Sequence, residues 1–223
     1  MPPAMGPLVW DDTGKRLYEH GVDHGVLYLL NTTTGEYDLG YAWNGLTTVT
    51  ETPAGAEPNP AYADNIKYLN LLSAETFGGT IEAFTYPVQF AECDGTVAAS
   101  PGVNVSQQPR KTFGISYRTQ VGNDVDANLG VKIHLVYGLL ASPSEKAYAT
   151  INDSPEALAF SWDITSTPVQ VTDMAPTSLL VIDSTLVDPA DLTAFEAILY
   201  GSATVAPKLP MPDAVIALFP PGP

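Results

Sequence analysis

Basic residues are scarce in this sequence. Nine Lys and Arg stand against 25 Asp and Glu, a formal net charge of −16 over 223 residues. A chain so short of cations cannot hold nucleic acid by neutralising phosphates, because that mode of binding needs Lys and Arg. It can lie beside DNA without adhering to it. Cysteine is nearly absent: Cys93 stands alone, so no intrachain disulfide forms and a disulfide-stapled secreted scaffold is excluded. No apolar run reaches the length of a membrane-spanning helix. The opening MPPAMGPLVWDD has neither the basic nor the apolar stretch of a secretory signal. The expectation is a chain made and used in a cytoplasm, or one that leaves it inside an assembly. Charged residues make up 15 % and hydrophobic residues 45 %, enough for a sizeable core, with few charges to keep a monomer apart from its neighbours.

Patterns that carry chemistry are missing as well. There is no Gly-x-Ser-x-Gly elbow and no Gly-rich phosphate loop, and Ser142-Pro-Ser144-Glu-Lys146 lacks the Ser-x-x-Lys spacing. Asp124-Val-Asp126-Ala-Asn128-Leu-Gly130 places oxygen ligands at alternate positions, as a calcium loop does. Its glycine falls seventh rather than sixth, Leu135 occupies the twelfth position, and no helices flank it, so it reads as a solvated tip between two strands. His20 and His24 sit four apart, a metal pair on a helix, but Gly21 and Gly25 argue against a helix and no third ligand is local. Cys93 lies between Glu92 and Asp94, whose charges raise a thiol pKa, and reads as buried and inert. His134, in mid-strand, is expected at a hydrated or interface surface. The sequons at Asn31 and Asn104 have no meaning without a secretory route. No catalytic, cofactor-binding or metal residue is assigned, no cofactor is implied, and the chain is not read as an enzyme.

What is present is a repeat of two. From Lys111 to Val171, Phe113, Ile115 and Tyr117 alternate with Gly114, Ser116 and Arg118. Ile133, Leu135 and Tyr137 alternate with Lys132, His134 and Val136, and Leu158, Phe160, Trp162 and Ile164 alternate with Ala159, Ser161, Asp163 and Thr165. Such alternation places one set in a core and the other toward solvent or a neighbour. It predicts long antiparallel ribbons, with a tight corner at Asn152–Pro155. Upstream, Val26–Trp43 reads as a hairpin, Leu46–Glu51 as a strand, and Pro53–Pro60 as a loop that prolines keep out of any ladder. Tyr62–Leu72 fits two patterns, Ile66 and Leu69 at helical spacing or Ile66, Tyr68 and Leu72 on a strand, and its strand neighbours favour the strand; Gly79–Tyr86 reads as another strand. Phe90–Gly95 reads as a short element and Pro101–Pro109 as a polar connection. Downstream, Thr177–Ile182 is a strand. One helix is written plainly: Asp188 caps it, Pro189 opens it, Leu192, Phe195, Ile198 and Leu199 form its apolar stripe, and Gly201 stops it. The aromatic residues concentrate in the middle of the chain without basic companions, which suits a core and subunit interfaces better than a base-stacking platform.

Several stretches resemble the major tail protein, or tail tube protein, of long-tailed, siphovirus-type bacteriophages. They are Tyr62-Ala63-Asp64-Asn65, Phe77–Gly95 (FGGTIEAFTYPVQFAECDG), Gln107–Asp124 (QQPRKTFGISYRTQVGND), His134–Gly138, and Glu145–Val169 (EKAYATINDSPEALAFSWDITSTPV), about half of the chain in one order. The resemblance implies a mainly β protein: an antiparallel β-sandwich or barrel of the tail-tube type, with one packed α-helix at about Pro189–Tyr200 and extended terminal arms. The expected organisation is an N-terminal arm over 1–23, a sandwich domain over 24–205 and a C-terminal arm over 206–223 that docks on something, such as another subunit. The resemblance also implies a structural virion subunit, in the virion tail and, during assembly, in the host cytoplasm. Its copies would form rings, hexameric in this family, that stack into a tube, linked by the arms and a long loop or hairpin. The implied partners are other copies of the chain, a tape-measure protein, a tail terminator, distal tail or baseplate proteins, and double-stranded DNA that passes through the lumen without specific binding; no membrane is implied. The acidity of the chain predicts a mainly negative lumen, along which DNA slides. The alternative is a virion decoration or adhesin β-domain that binds host glycan, which would show exposed aromatic clusters and a monomeric or trimeric state.

Overall fold

The computed structural model describes residues 7–143, 145–151, 153 and 157–220; the expected corner at Asn152–Pro155 lies outside them except for Asp153. The fold is mainly β and antiparallel throughout. Its strands are β1 (Tyr18–Leu30), β2 (Tyr37–Ala42), β3 (Leu46–Glu51), β4 (Pro58–Ala63), β5 (Ile66–Leu72), β6 (Gly78–Ala83), β7 (Val97–Ser100), β8 (Val103–Val105), β9 (Phe113–Gly122), β10 (Gly130–Ala141), β11 (Phe160–Ser166) and β12 (Leu179–Asp183). Two helices follow, α1 (Pro189–Leu199) and α2 (Pro212–Leu218). One sheet runs β2-β1-β9-β10-β11-β6-β3, with β12 also on β10; β4–β5 and β7–β8 are separate hairpins. The main sheet curls until Leu46 of β3 comes against Gly25 of β1, which gives the half-closed barrel of a sandwich.

The inside of this curl is one core. Leu27, Ile81, Phe113, Ile115, Leu139 and Trp162 fill it, with Phe90 from a 3₁₀ turn at Val88–Glu92. The rings of Trp43, Phe90 and Trp162 meet at 4.6–5.7 Å, tilted or edge-on, the arrangements aromatic quadrupoles favour. The clean alternation holds on β6 and β11: Ile81, Ala83, Trp162 and Ile164 point in, while Glu82, Asp163 and Thr165 are exposed.

On β1, β9 and β10 the second face is buried too. Tyr28, Tyr37, Ile133, Leu135 and Tyr137 form a second core that α1 and α2 cover with Phe195, Leu199 and Val215, and the segment between the helices with Leu209. Three buried tyrosine hydroxyls tie it down. Tyr28 Oη donates to Leu199 O at 2.7 Å, Tyr137 Oη donates to Pro210 O at 2.9 Å, and Tyr37 Oη accepts from Gly138 N at 2.8 Å. The helix expected at Pro189–Tyr200 stands as read: Asp188 accepts from Ala190 N, and Gly201 ends it with φ +83°.

Several expectations are corrected. The C-terminal segment, expected to dock on something such as another subunit, docks on its own chain. It forms α2, a second helix, and seals the chain's own sheet edge, where Gly40 N donates to Pro207 O and Leu209 N to Tyr37 O. Residues 18–23, read as N-terminal arm, belong to β1, which pairs with β9 as far as Gly122. Gly79–Tyr86 is strand only to Ala83, and 101–109 is no simple connection, since Val103–Val105 pairs with Val97–Ser100. Pro58 and Pro60 do enter a ladder. They fall at alternate positions of a two-stranded ribbon, which turns both toward its open edge, where no N–H is needed.

Candidate assembly interface

Between β3 and β6 the chain leaves the barrel as a ribbon. The β3–β6 ladder continues through the Ala54–Thr76 bridge, and Ser73 N donates to Glu57 O, carrying the pairing into β4–β5. The turn at the tip is Asp64-Asn65, both left-handed with φ 49° and 63°, the signature of a two-residue hairpin loop whose twist matches its strands. The sequence reading had joined these residues into one strand.

Every residue of β4 and β5 is exposed. Six of them are large and apolar: Tyr62, Ile66, Tyr68, Leu69, Leu71 and Leu72, at 39–70 % exposure. The register, which shifts between Ala61 and Tyr62, places Tyr62 and Leu72 on one face and Ile66, Leu69 and Leu71 on the other, with Tyr68 at the bulge, so both faces carry apolar side chains. Exposed apolar patches of this kind are characteristic of interaction sites. We call β4–β5 the arm. A second apolar patch surrounds the 3₁₀ turn and β7–β8, where Phe84, Val88, Val97, Val103 and Val105 are 44–82 % exposed.

A polar cluster fixes the root of the arm. Glu51, the last residue of β3, turns into the barrel mouth, where Tyr117 Oη donates to its Oε1 and His134 Nδ1 lies 3.2 Å from the same oxygen. The His134 ring stacks on Tyr117 at 4.7 Å, and its Nε2 is 3.1 Å from Thr119 Oγ1. His134 is only 9 % exposed, which corrects its expected place at a hydrated or interface surface: Thr119 partners its Nε2, while Nδ1 faces the Glu51 carboxylate at ion-pair distance without a hydrogen bond. Beside the mouth, Arg118 holds Asp23 through Nε at 2.9 Å and Nη2 at 3.3 Å.

These groups set a pH window. The His134 imidazole, opposed by burial and aided by the Tyr117 hydroxyl, holds the Glu51 carboxyl below the usual range. At Asp23 burial works upward, but the Arg118 guanidinium outweighs it and the carboxyl is held low. A depressed carboxyl stabilises the fold above its unfolded pKa, roughly 4, and that stability is lost as pH falls through the folded value. Burial raises the phenols of Tyr28, Tyr117 and Tyr137. Their contribution is complete below the unfolded value of roughly 10 and is lost as pH rises above it. The urea midpoint is therefore expected to be flat between about pH 5 and 9 and to fall on both sides. Glu51→Gln should shallow the acid limb; an acid limb of unchanged depth would show that Glu51 is not part of it.

The other candidates resolve into structural parts. In the Asp124–Gly130 tip the oxygens serve the chain itself: Asn123 Oδ1 accepts from Val125 N and Asp126 N, Asp126 Oδ1 from Asn128 N, and Asp124 Oδ1 from Gly14 N. His20 and His24 lie on β1, and His24 Nδ1 is 2.9 Å from Asp23. Among the described residues no group of three or more His, Cys, Asp or Glu is placed to hold a metal ion. Burial, and then the Glu92 carboxylate, push the Cys93 thiol up to about 12. Lys146 pairs with Asp94 at 2.8 Å. Of the expected aromatic cluster, Phe90, Phe113 and Trp162 are core, whereas Tyr68, Phe84 and Tyr148 are exposed. No family model and no curated protein matches the chain.

Proposed function

We propose that this protein is a structural subunit that polymerises, specifically a tail tube subunit of a long-tailed bacteriophage. The observation that carries the reading is the arm: a two-stranded ribbon with apolar side chains on both faces and, among the described residues, no cover from its own chain. A ribbon of this kind gains stability only when another molecule buries it. The resemblance of the central segments to tail tube proteins favours further copies of the same chain as that molecule.

Charge supports the same reading. The outer face of β3, β6 and β11 carries Thr48, Thr50, Thr80, Glu82, Asp163 and Thr165 and no Lys or Arg. A wall of hydroxyls and carboxylates does not retain a polyanion, since it neutralises no phosphate. On this reading that face lines the DNA conduit. Electron microscopy of the purified protein tests the proposal: stacked rings or tubes are expected, and globules that stay dispersed at high concentration and with tape-measure protein would refute it.

A further inference from the structure

The turn that joins β2 to β3 carries Asn44 and Gly45, the one Asn-Gly pair in the chain. We infer that Asn44 is a site of spontaneous covalent modification, converted through a cyclic imide to aspartate and isoaspartate. The inference does not depend on the polymerising reading and holds for the single subunit.

The chemistry needs a nucleophile beside a side-chain amide. The Gly45 backbone nitrogen, having given its proton to water, attacks Cγ of Asn44. A C–N bond forms, the Cγ–Nδ2 bond breaks, and Nδ2 leaves as ammonia with a proton from solvent. Water then opens the imide. Cleavage at Cγ gives aspartate. Cleavage at the main-chain carbonyl gives isoaspartate, whose backbone runs through Cβ and Cγ. A water is consumed, an ammonia is released, and nothing is oxidised or reduced.

The fold frees both reacting groups. Asn44 is exposed, its side chain makes no hydrogen bond among the described residues, and a cavity of about 550 Å³ opens beside it. The amide therefore has room to turn onto the chain. Other turn asparagines are held: Asn31 Oδ1 accepts from Thr33 N and Thr34 N, and Asn123 Oδ1 from Val125 N and Asp126 N. Gly45 N donates to no hydrogen bond among the described residues, although Gly45 O accepts from Phe84 N at 2.8 Å. A residue without Cβ leaves the approach to its nitrogen open. Elsewhere Asn59 precedes Pro60, which has no N–H, and Asn65, Asn70, Asn104 and Asn128 precede the bulky Ile66, Leu71, Val105 and Leu129. The glycine cannot be exchanged to escape the reaction. Its φ is +74°, and a Cβ would lie 3.0 Å from Thr85 Cγ2.

The consequence follows from where the turn lies, at the place where the sheet curls shut. Both its ends are pinned. Trp43 N donates to Gly25 O at 2.7 Å and Trp43 Nε1 to Thr85 O at 3.0 Å. Beyond the turn, Phe84 N holds Gly45 O and Leu46 pairs with Ala83. Isoaspartate lengthens the backbone between these anchors by a carbon, about 1.5 Å. Either the Trp43 ring leaves its place against Phe90 and Trp162, or Leu46 slips from its pairing. The turn that closes the barrel is thus the place where the chain ages.

Timed incubation of the full chain at neutral pH tests it. Peptides are read by mass spectrometry, and isoaspartate is identified by its labelling with isoaspartyl methyltransferase. The Asn44 peptide is expected to gain the mass of an amide-to-acid exchange at least tenfold faster than the Asn31 and Asn123 peptides. Equal rates overturn the inference, as does an Asn44 peptide that stays intact. The modified fraction should melt roughly 4 °C or more below fresh protein, on a scale of about 2–4 °C per kcal/mol. Asn44→Gln, whose longer side chain closes the imide far more slowly, should keep its melting temperature through the same incubation. Freshly purified Asn44→Asp carries the charge without the added carbon and, at an exposed position, should melt within about a degree or two of the parent. Ageing of Asn44→Gln like the parent overturns the role of this turn, and fresh Asn44→Asp that melts as low as aged protein overturns the isoaspartate account.

Discussion

Phe195→Ala is expected to destabilise the fold by ~3–5 kcal/mol, the range for deleting a fully buried aromatic ring. Phe195 is 0 % exposed and sits where α1, α2 and the sheet meet, 5.6 Å from the Phe219 ring. Neither helix can close the gap alone. α1 is held at its end by the bond from Tyr28 to Leu199 O, and the segment before α2 by the bond from Tyr137 to Pro210 O. The cavity therefore persists, and the loss includes its cost as well as the lost transfer energy. At about 2–4 °C per kcal/mol for a chain of this size, the melting temperature should fall by roughly 6–20 °C. Ala194→Ser, at the exposed neighbouring position, should leave it within a degree or two. An unchanged melting temperature for Phe195→Ala would mean that α1 does not cover the sheet through this ring.

Gly138→Val should be at least as damaging. β10 changes partners at this residue: Lys132–Val136 pairs with β12, and Leu139–Ala141 pairs with β11. A bulge between Val136 and Leu139 makes the change possible, and Gly138 supplies its left-handed backbone at φ +65°. A side chain here meets two costs. The left-handed conformation costs an L-residue roughly 1–2 kcal/mol. A Cβ would also lie 2.1 Å from Thr167 O, a backbone atom held in place because Thr167 N donates to Gly138 O. A β-carbon fits only if Thr167 and the strand exchange shift, so Gly138→Ala is expected to be soluble but at least ~3 kcal/mol less stable, and Gly138→Val, whose two γ-methyls add to the clash, is expected in the insoluble fraction. Normal solubility and melting of Gly138→Val would show that β10 passes from β12 to β11 without the bulge.

Elements whose own residues dictate them were legible in the sequence. β3 needed only its threonines and valine, and α1 only Asp188, Pro189 and Gly201. What escaped was set by distant parts of the chain. Gly114 and Ser116 look like a solvent face because they are small, yet they are small because the second core presses on them; a Cβ on Gly114 would lie 2.6 Å from Leu209 Cδ2. α2 was hidden among prolines, one of which, Pro212, opens it. The arm was the costliest omission. Its turn is Asp-Asn rather than the glycine-bearing pair that announces a hairpin, and its prolines argued for a loop. Nothing in the local pattern of Tyr62–Leu72 says that both faces stay bare, because that depends on where the barrel ends.

The seal on β2 has a consequence for synthesis. The outer edge of β2 is closed by Pro207 and Leu209, which leave the ribosome 165 residues after Ala42. At 5–20 residues per second that delay is roughly 8–33 s. During it a nascent chain carries an open strand edge on a polysome crowded with identical chains, each able to add a strand to its neighbour. The excess of carboxylates then acts on incomplete chains before it serves finished ones: mutual repulsion keeps unfinished neighbours apart until each has made its own seal.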